Sequence, residues 1–172
     1  MKWTPKLALA LELATAMIAS AQSPAEDRGL AQQTQVRGYW IDPSTGLMWA
    51  GKDNGKDVSW KNAVNYCRDL RLAGYSDWRL ASNVALQGIY DSAANAPGLA
   101  GPGRGRSVTW HVKGNLFLTG IQWADTQRKR GHFQSSSEWY FDFNEERWDT
   151  QPSGDPYSSS FKRALCVRGS RK

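Results

Sequence analysis

The sequence predicts a small α+β domain, and three observations carry that expectation. Apolar residues recur at helical spacing after Ser59, aromatic residues alternate with polar ones around Trp139, and the two cysteines fall one on each kind of element. Taken in order, Tyr39-Trp40-Ile41 reads as a strand, Asp42-Pro43-Ser44-Thr45-Gly46 as a turn, and Leu47-Met48-Trp49 as the returning strand. Gly51 to Asp57 is a loop rich in Asp, Asn and Gly. Ser59 then caps a helix whose Trp60, Ala63, Val64, Cys67 and Leu70 share one face, with Gly74 as its stop. A second, short helix is predicted after Ser82, using Val84, Leu86, Ile89 and Tyr90. Ala93 to Gly105, rich in Gly, Ala and Pro, reads as a long loop. In the last third, Trp139, Phe141 and Phe143 alternate with Tyr140 and Asp142. Asn144-Glu145-Glu146 turns that strand, and Arg147-Trp148-Asp149 returns it. Beyond the polar loop Gln151 to Ser160, a final strand from Phe161 to about Arg168 carries Cys166. No repeat and no second domain is visible, so 36–172 is taken as one unit.

The N-terminus has the three-part form of a secretory signal. Lys2 and Lys6 precede an apolar run from Leu7 to Ala19, and Ala19-Ser20-Ala21 has the small-x-small form of a cleavage site. The run is shorter than the ~20 apolar residues that an integral span needs. Residues 1–21 are therefore expected to be a signal peptide and 22–35 a flexible lead-in, with a periplasmic or secreted product. Removing 1–21 takes away Lys2, Lys6 and Glu12, one net positive charge, and leaves +5 of the chain's +6. That balance favours acidic partners. In an exported chain these are anionic polysaccharides or envelope glycans rather than nucleic acid, with self-association left open. An oxidising compartment also favours pairing Cys67 with Cys166. Eight of the nine tryptophans lie after residue 21, so aromatic rings carry much of the expected core, with Trp49, Trp60, Trp78 and Trp139 assigned to it.

Motifs for catalysis are missing. His111 and His132 lack metal-ligand spacing, and no HExxH, CxxC, Gly-x-Ser-x-Gly or phosphate loop appears, so neither an enzyme, a cofactor nor a metal is expected. Asp53-Asn54-Gly55-Lys56-Asp57 has oxygen ligands but misses the EF-hand register and reads as an Asx-rich surface turn. Glu138, Asp142, Glu145, Glu146 and Asp149 read as the solvated face of one hairpin. Two basic clusters are the candidate ligand contacts: Arg104 with Arg106, and Arg128-Lys129-Arg130 beside His132. Guanidinium forks bind sulfate, phosphate or carboxylate in bidentate fashion. Trp110 and Trp123 are the candidate faces for stacking on sugar rings.

Several blocks, in order, resemble the Lcl C-terminal domain family, named for the end domain of a Legionella collagen-like adhesin. They are Gly46-Leu47-Met48-Trp49, Asp53-Asn54-Gly55, Trp60 through Ala63 to Tyr66-Cys67, Leu72-Ala73-Gly74-Tyr75-Ser76-Asp77-Trp78-Arg79-Leu80, Gly88-Ile89-Tyr90-Asp91, and Arg163-Ala164-Leu165-Cys166-Val167-Arg168. The resemblance runs from about Gly38 to Arg168. It implies a C-type-lectin-like fold: two helices, a curled antiparallel sheet, long loops and a disulfide from helix to last strand. It also implies a binding or adhesion module, since the founding domain binds sulfated polysaccharides. The pattern departs at Ala81-Ser82-Asn83 and Ala85, and Gln151-Pro152-Ser153 lacks the carboxylate of the calcium-dependent lectin triplet. The rival expectations are a structural subunit of an envelope complex and an enzyme related to the formylglycine-generating enzymes, which would need a reactive cysteine.

Overall fold

A computed structural model describes residues 29, 32, 34, 36–100, 106–130, 135–152 and 159–170 of the chain. The expected signal peptide at 1–21 and most of the lead-in lie outside the described residues. Thr34, within that lead-in, is part of the fold: it is helical and buried, and its hydroxyl donates to the Gly114 carbonyl at 3.1 Å.

The first hairpin forms as predicted. Strands β1 (Tyr39–Ile41) and β2 (Met48–Ala50) are antiparallel, with Trp40 opposite Trp49. Asp42 ties the turn, its carboxylate accepting from the Ser44 amide at 3.0 Å, the Ser44 hydroxyl at 2.7 Å and the Thr45 hydroxyl at 2.6 Å. Burial pushes the Asp42 carboxyl up, but the Thr45 and Ser44 donors outweigh it and, with Lys113 nearby, hold it below the ordinary carboxylate range.

Helix α1 (Trp60–Asp69) starts at Ser59, whose side chain accepts from the Asn62 amide, and it buries Ala63 and Cys67. It stops before Gly74, because Leu70 is already extended. The left-handed Gly74 (φ +80°) serves a different turn, in which Leu72 and Tyr75 exchange backbone hydrogen bonds of 3.3 and 3.0 Å. Strand β3 (Arg79–Leu80) follows, then helix α2 (Asn83–Gly88), capped by Ser82. Leu86 and Ile89 are buried, but Val84, expected on the same face, is 82% exposed. At ~100° per residue it lies ~200° from Leu86, on the opposite side of a helix too short to bury both.

The expected long loop at Ala93–Gly105 is in part a strand. β4 (Ala96–Ala100) pairs antiparallel with β5 (Arg106–Trp110), while the Leu99 amide donates to the Leu118 carbonyl at 2.9 Å. Glycine at 98 is required there, since a Cβ would collide with the Leu118 carbonyl and the Trp110 ring. The Gly/Ala/Pro composition that reads as a loop in sequence is thus what lets backbones approach closely.

A second sheet has the order β8-β7-β6-β9, from β6 (Ile121–Arg130), β7 (Ser135–Asp142), β8 (Arg147–Pro152) and β9 (Lys162–Arg163). β6 and β7 are antiparallel, and β9 runs parallel to β6. The predicted last strand is therefore divided. After β9 the chain passes through buried Ala164 and Leu165 and enters the first sheet as β10 (Cys166–Arg168), giving the order β1-β2-β10-β3. Cys166 there is bonded to Cys67 of α1, across a sequence separation of 99 residues. The architecture is mixed α+β, with two buried apolar clusters. One gathers around Trp49, Leu86, Phe141 and Phe143, and the other around Cys67, Trp78, Trp123 and Cys166. Trp60 and Trp139 pack against these clusters but are only partly buried.

Candidate functional site

The paired strands β6 and β7 lose register in the middle. From Trp123 to Gln127 β6 uses four steps while β7, from Tyr140 to Glu138, uses two. The surplus residues bulge out of the ladder, and two bonds hold the bulge: the Trp60 indole donates to the Ala124 carbonyl at 2.7 Å, and the Asp125 amide donates to the Ala81 carbonyl at 2.8 Å. A bulge re-aims side chains away from the sheet. Here Asp125, Thr126 and Gln127 form one wall of an open groove of about 640 Å³. Its floor holds Trp78 and Leu80, and its other wall is Trp60, Val64 and Arg68 of α1 with Arg79 of β3. The three helical residues are spaced i, i+4 and i+8, a stripe beside the core-facing Ala63 and Cys67. Trp78 is buried, whereas Trp60 keeps part of its ring in solvent. Arg68 is exposed and pairs with Asp69 of its own helix at 3.0 Å. Gln127 is also exposed, its amide donating to Glu138 at 3.2 Å.

The candidates from sequence are distributed differently from expectation. Trp110 and Trp123 are 2% and 0% exposed, so neither presents a face to a ligand. Trp110 is covered by the close approach of β4, and Trp123 donates to the Val58 carbonyl at 2.7 Å, with the Lys162 ammonium 5.4 Å from its ring. Both are core residues, and the groove tryptophan is Trp60, which sequence assigned to the core. A stripe ending in Arg68 is the signal that marks the outward side of α1. Arg104 and His132 lie outside the described residues. Arg106 is exposed at the start of β5. Arg128, Lys129 and Arg130 occupy the last positions of β6, opposite Ser137, Ser136 and Ser135, and their side chains are outside the described part. Arg106 and the run 128–130 therefore stand on strands of separate sheets, and among the described residues no strand pairing joins β5 to β6. The basic run of β6 continues directly from Asp125–Gln127 of the groove.

The acidic segments are also more internal than expected. Asp53 is no surface turn residue: it is 3% exposed, and its carboxylate accepts from the Gly55 amide (3.0 Å), the Thr119 amide (2.7 Å), the Thr119 hydroxyl (2.8 Å) and the Gln122 side chain (2.9 Å). Burial pushes this carboxyl up, and the four hydrogen bonds pull it back without cancelling the effect. Asn54 exchanges hydrogen bonds with Ala164, and Asp57 pairs with the buried Arg163. The Asp53–Asp57 loop thus clips the first sheet to the segment entering β10, and both Asp53 oxygens, Asn54 Oδ1 and Asp57 Oδ1 already have protein partners. In the hairpin, Glu138 and Asp142 are buried, and only Glu145, Glu146 and Asp149 form the solvated face. Both cysteines are consumed in the disulfide, so the reactive thiol that the enzyme rival requires is not available. Among the described residues, no helix is long and apolar enough to cross a membrane.

A comparison with protein-family models matches residues 38–168, well over half of the chain, to the Lcl C-terminal domain. Neither curated proteins nor solved structures give a match. The family is associated with adhesins and is not a known enzyme family. On the extent of that match, the chain belongs to the Lcl C-terminal domain family.

Proposed function

We propose that this chain is an exported, non-catalytic adhesion module that binds anionic polysaccharide, on a C-type-lectin-like scaffold. The observation that carries the reading is the continuity of β6, which runs from the groove wall at Asp125–Gln127 into Arg128-Lys129-Arg130. A linear polyanion laid along the strand meets polar groove residues first and three cationic positions next. The scaffold reading is supported by the first and last strands sharing one sheet and by the helix-to-last-strand disulfide. Export is supported by that disulfide and by the signal-like residues 1–21.

The test is retention on immobilised heparin. Changing Arg128, Lys129 and Arg130 together to Ala should sharply reduce retention, and wild-type retention should fall as salt rises, because contacts between exposed charges are screened over ~8 Å at physiological strength. On the proposed placement of these three side chains in solvent, stability should change by less than about 0.5 kcal/mol. Co-elution of the triple variant with wild type would exclude the strand end as the contact. A wild-type chain that never binds would make the envelope-subunit reading the leading one.

A further inference from the structure

We infer that the groove between α1, β3 and the β6 bulge is a subsite for one uronic-acid ring, with Trp60 as its platform. The inference rests on the polysaccharide reading above and adds a sugar class and a set of contacts to it. The groove combines the three features such a ring demands. A pyranose has an apolar C–H face, and Trp60 offers a partly exposed ring on a floor of Trp78 and Leu80. The Trp60 ring is preorganised, since its N–H is fixed on the Ala124 carbonyl at 2.7 Å and Val64 lies one turn along the helix. A preset aromatic loses little freedom on binding.

The ring's hydroxyls need planar groups that accept and donate. Asp125 and Gln127 stand on the opposite wall, and Gln127 is an exposed side chain that uses its nitrogen on Glu138. The carboxylate needs a guanidinium. The groove lining carries two guanidinium groups, those of Arg68 and Arg79. Among the described residues the Arg68 side chain is bound only by a surface pair with Asp69, both side chains 66% exposed. Exposed pairs of this kind contribute little and exchange readily for a ligand carboxylate. A volume near 640 Å³ suits a saccharide unit with a neighbour on either side, within the usual range of ligand sites.

The experiment titrates the full chain with hexagalacturonate, which carries carboxylates but no sulfate, against neutral maltohexaose as control. Hexagalacturonate should bind and maltohexaose should bind at least tenfold more weakly. Arg68→Gln should weaken hexagalacturonate roughly tenfold, the size of one charge-assisted contact. Gln127→Ala and Trp60→Ala should each weaken it by about five- to tenfold, and the Trp60→Ala factor should be the same at low and high salt, because a ring contact is not screened. Trp60 also supports the core, so the exposed Arg68 and Gln127 variants decide the matter if Trp60→Ala fails to fold. Wild-type affinity in both of those variants overturns the subsite. A chain that binds heparin but not hexagalacturonate also overturns the subsite and leaves the adhesion reading standing. A chain that binds neither overturns both.

Discussion

Asp53→Ala tests whether the buried carboxylate clip holds the two sheets together. In the native fold four donors converge on that carboxylate, at 2.7 to 3.0 Å. Two of them have an easy alternative: the Gly55 amide lies on an exposed turn and can take water, and the Thr119 hydroxyl can rotate. The other two, the Thr119 amide and the fully buried Gln122 amide, lose an acceptor, although Gln122 keeps the Gly120 carbonyl at 2.7 Å. A buried donor stripped of its partner costs about 1–3 kcal/mol. Relief of the carboxylate's own desolvation offsets part of this, and the net expectation is a loss of about 2–4 kcal/mol. Urea unfolding of the full chain at neutral pH should show a lower midpoint at unchanged slope. The pH dependence has a defined sign. Burial raises the folded-state Asp53 pKa, so between the unfolded and folded values the native state holds the extra proton and stability rises as pH falls. The Asp42 carboxyl, held low, acts oppositely: its contribution is present above the unfolded value and lost as pH falls through the folded one. Asp53→Asn, which cannot titrate, should therefore lose stability in acid more steeply than wild type. A variant within 0.5 kcal/mol of wild type at neutral pH, or one with an unchanged acid profile, would refute the reasoning.

Cys67→Ser opens a crosslink spanning 99 residues and should cost about 4–5 kcal/mol on the chain-entropy argument, measured by the same unfolding titration; an unchanged midpoint would mean the crosslink adds no net stability. Val84→Ser should leave stability within about 0.5 kcal/mol, because the side chain is almost fully exposed, whereas Leu86→Ala two residues later should cost about 2–5 kcal/mol. Equal costs at 84 and 86 would show that α2 is rotated about its axis.

The elements whose signals are local were legible. Ser59 and Ser82 do cap their helices, the Asp42–Gly46 turn does join two strands, and the aromatic alternation at 139–143 does mark a strand, because each depends on neighbours within a few residues. Two cysteines allow a single intrachain pairing, and it forms. The candidate site was legible only in part. The basic run at 128–130 stands out by charge alone, but the groove beside it comes from a bulge that appears only when β6 is laid on β7.

Sequence by itself thus determined the α+β class, the capped helices, the crosslink and the membership implied by ordered blocks of residues. Only the tertiary structure decided which tryptophans face inward, that Gly98 belongs to a strand, that Asp53 is buried, and that Trp60 rather than Trp110 or Trp123 borders a groove. The reason is physical. Periodicity identifies one face of an element but not what covers it. Burial of an indole or a carboxylate depends on partners such as Ala124, 64 residues from Trp60, and Thr119, 66 residues from Asp53.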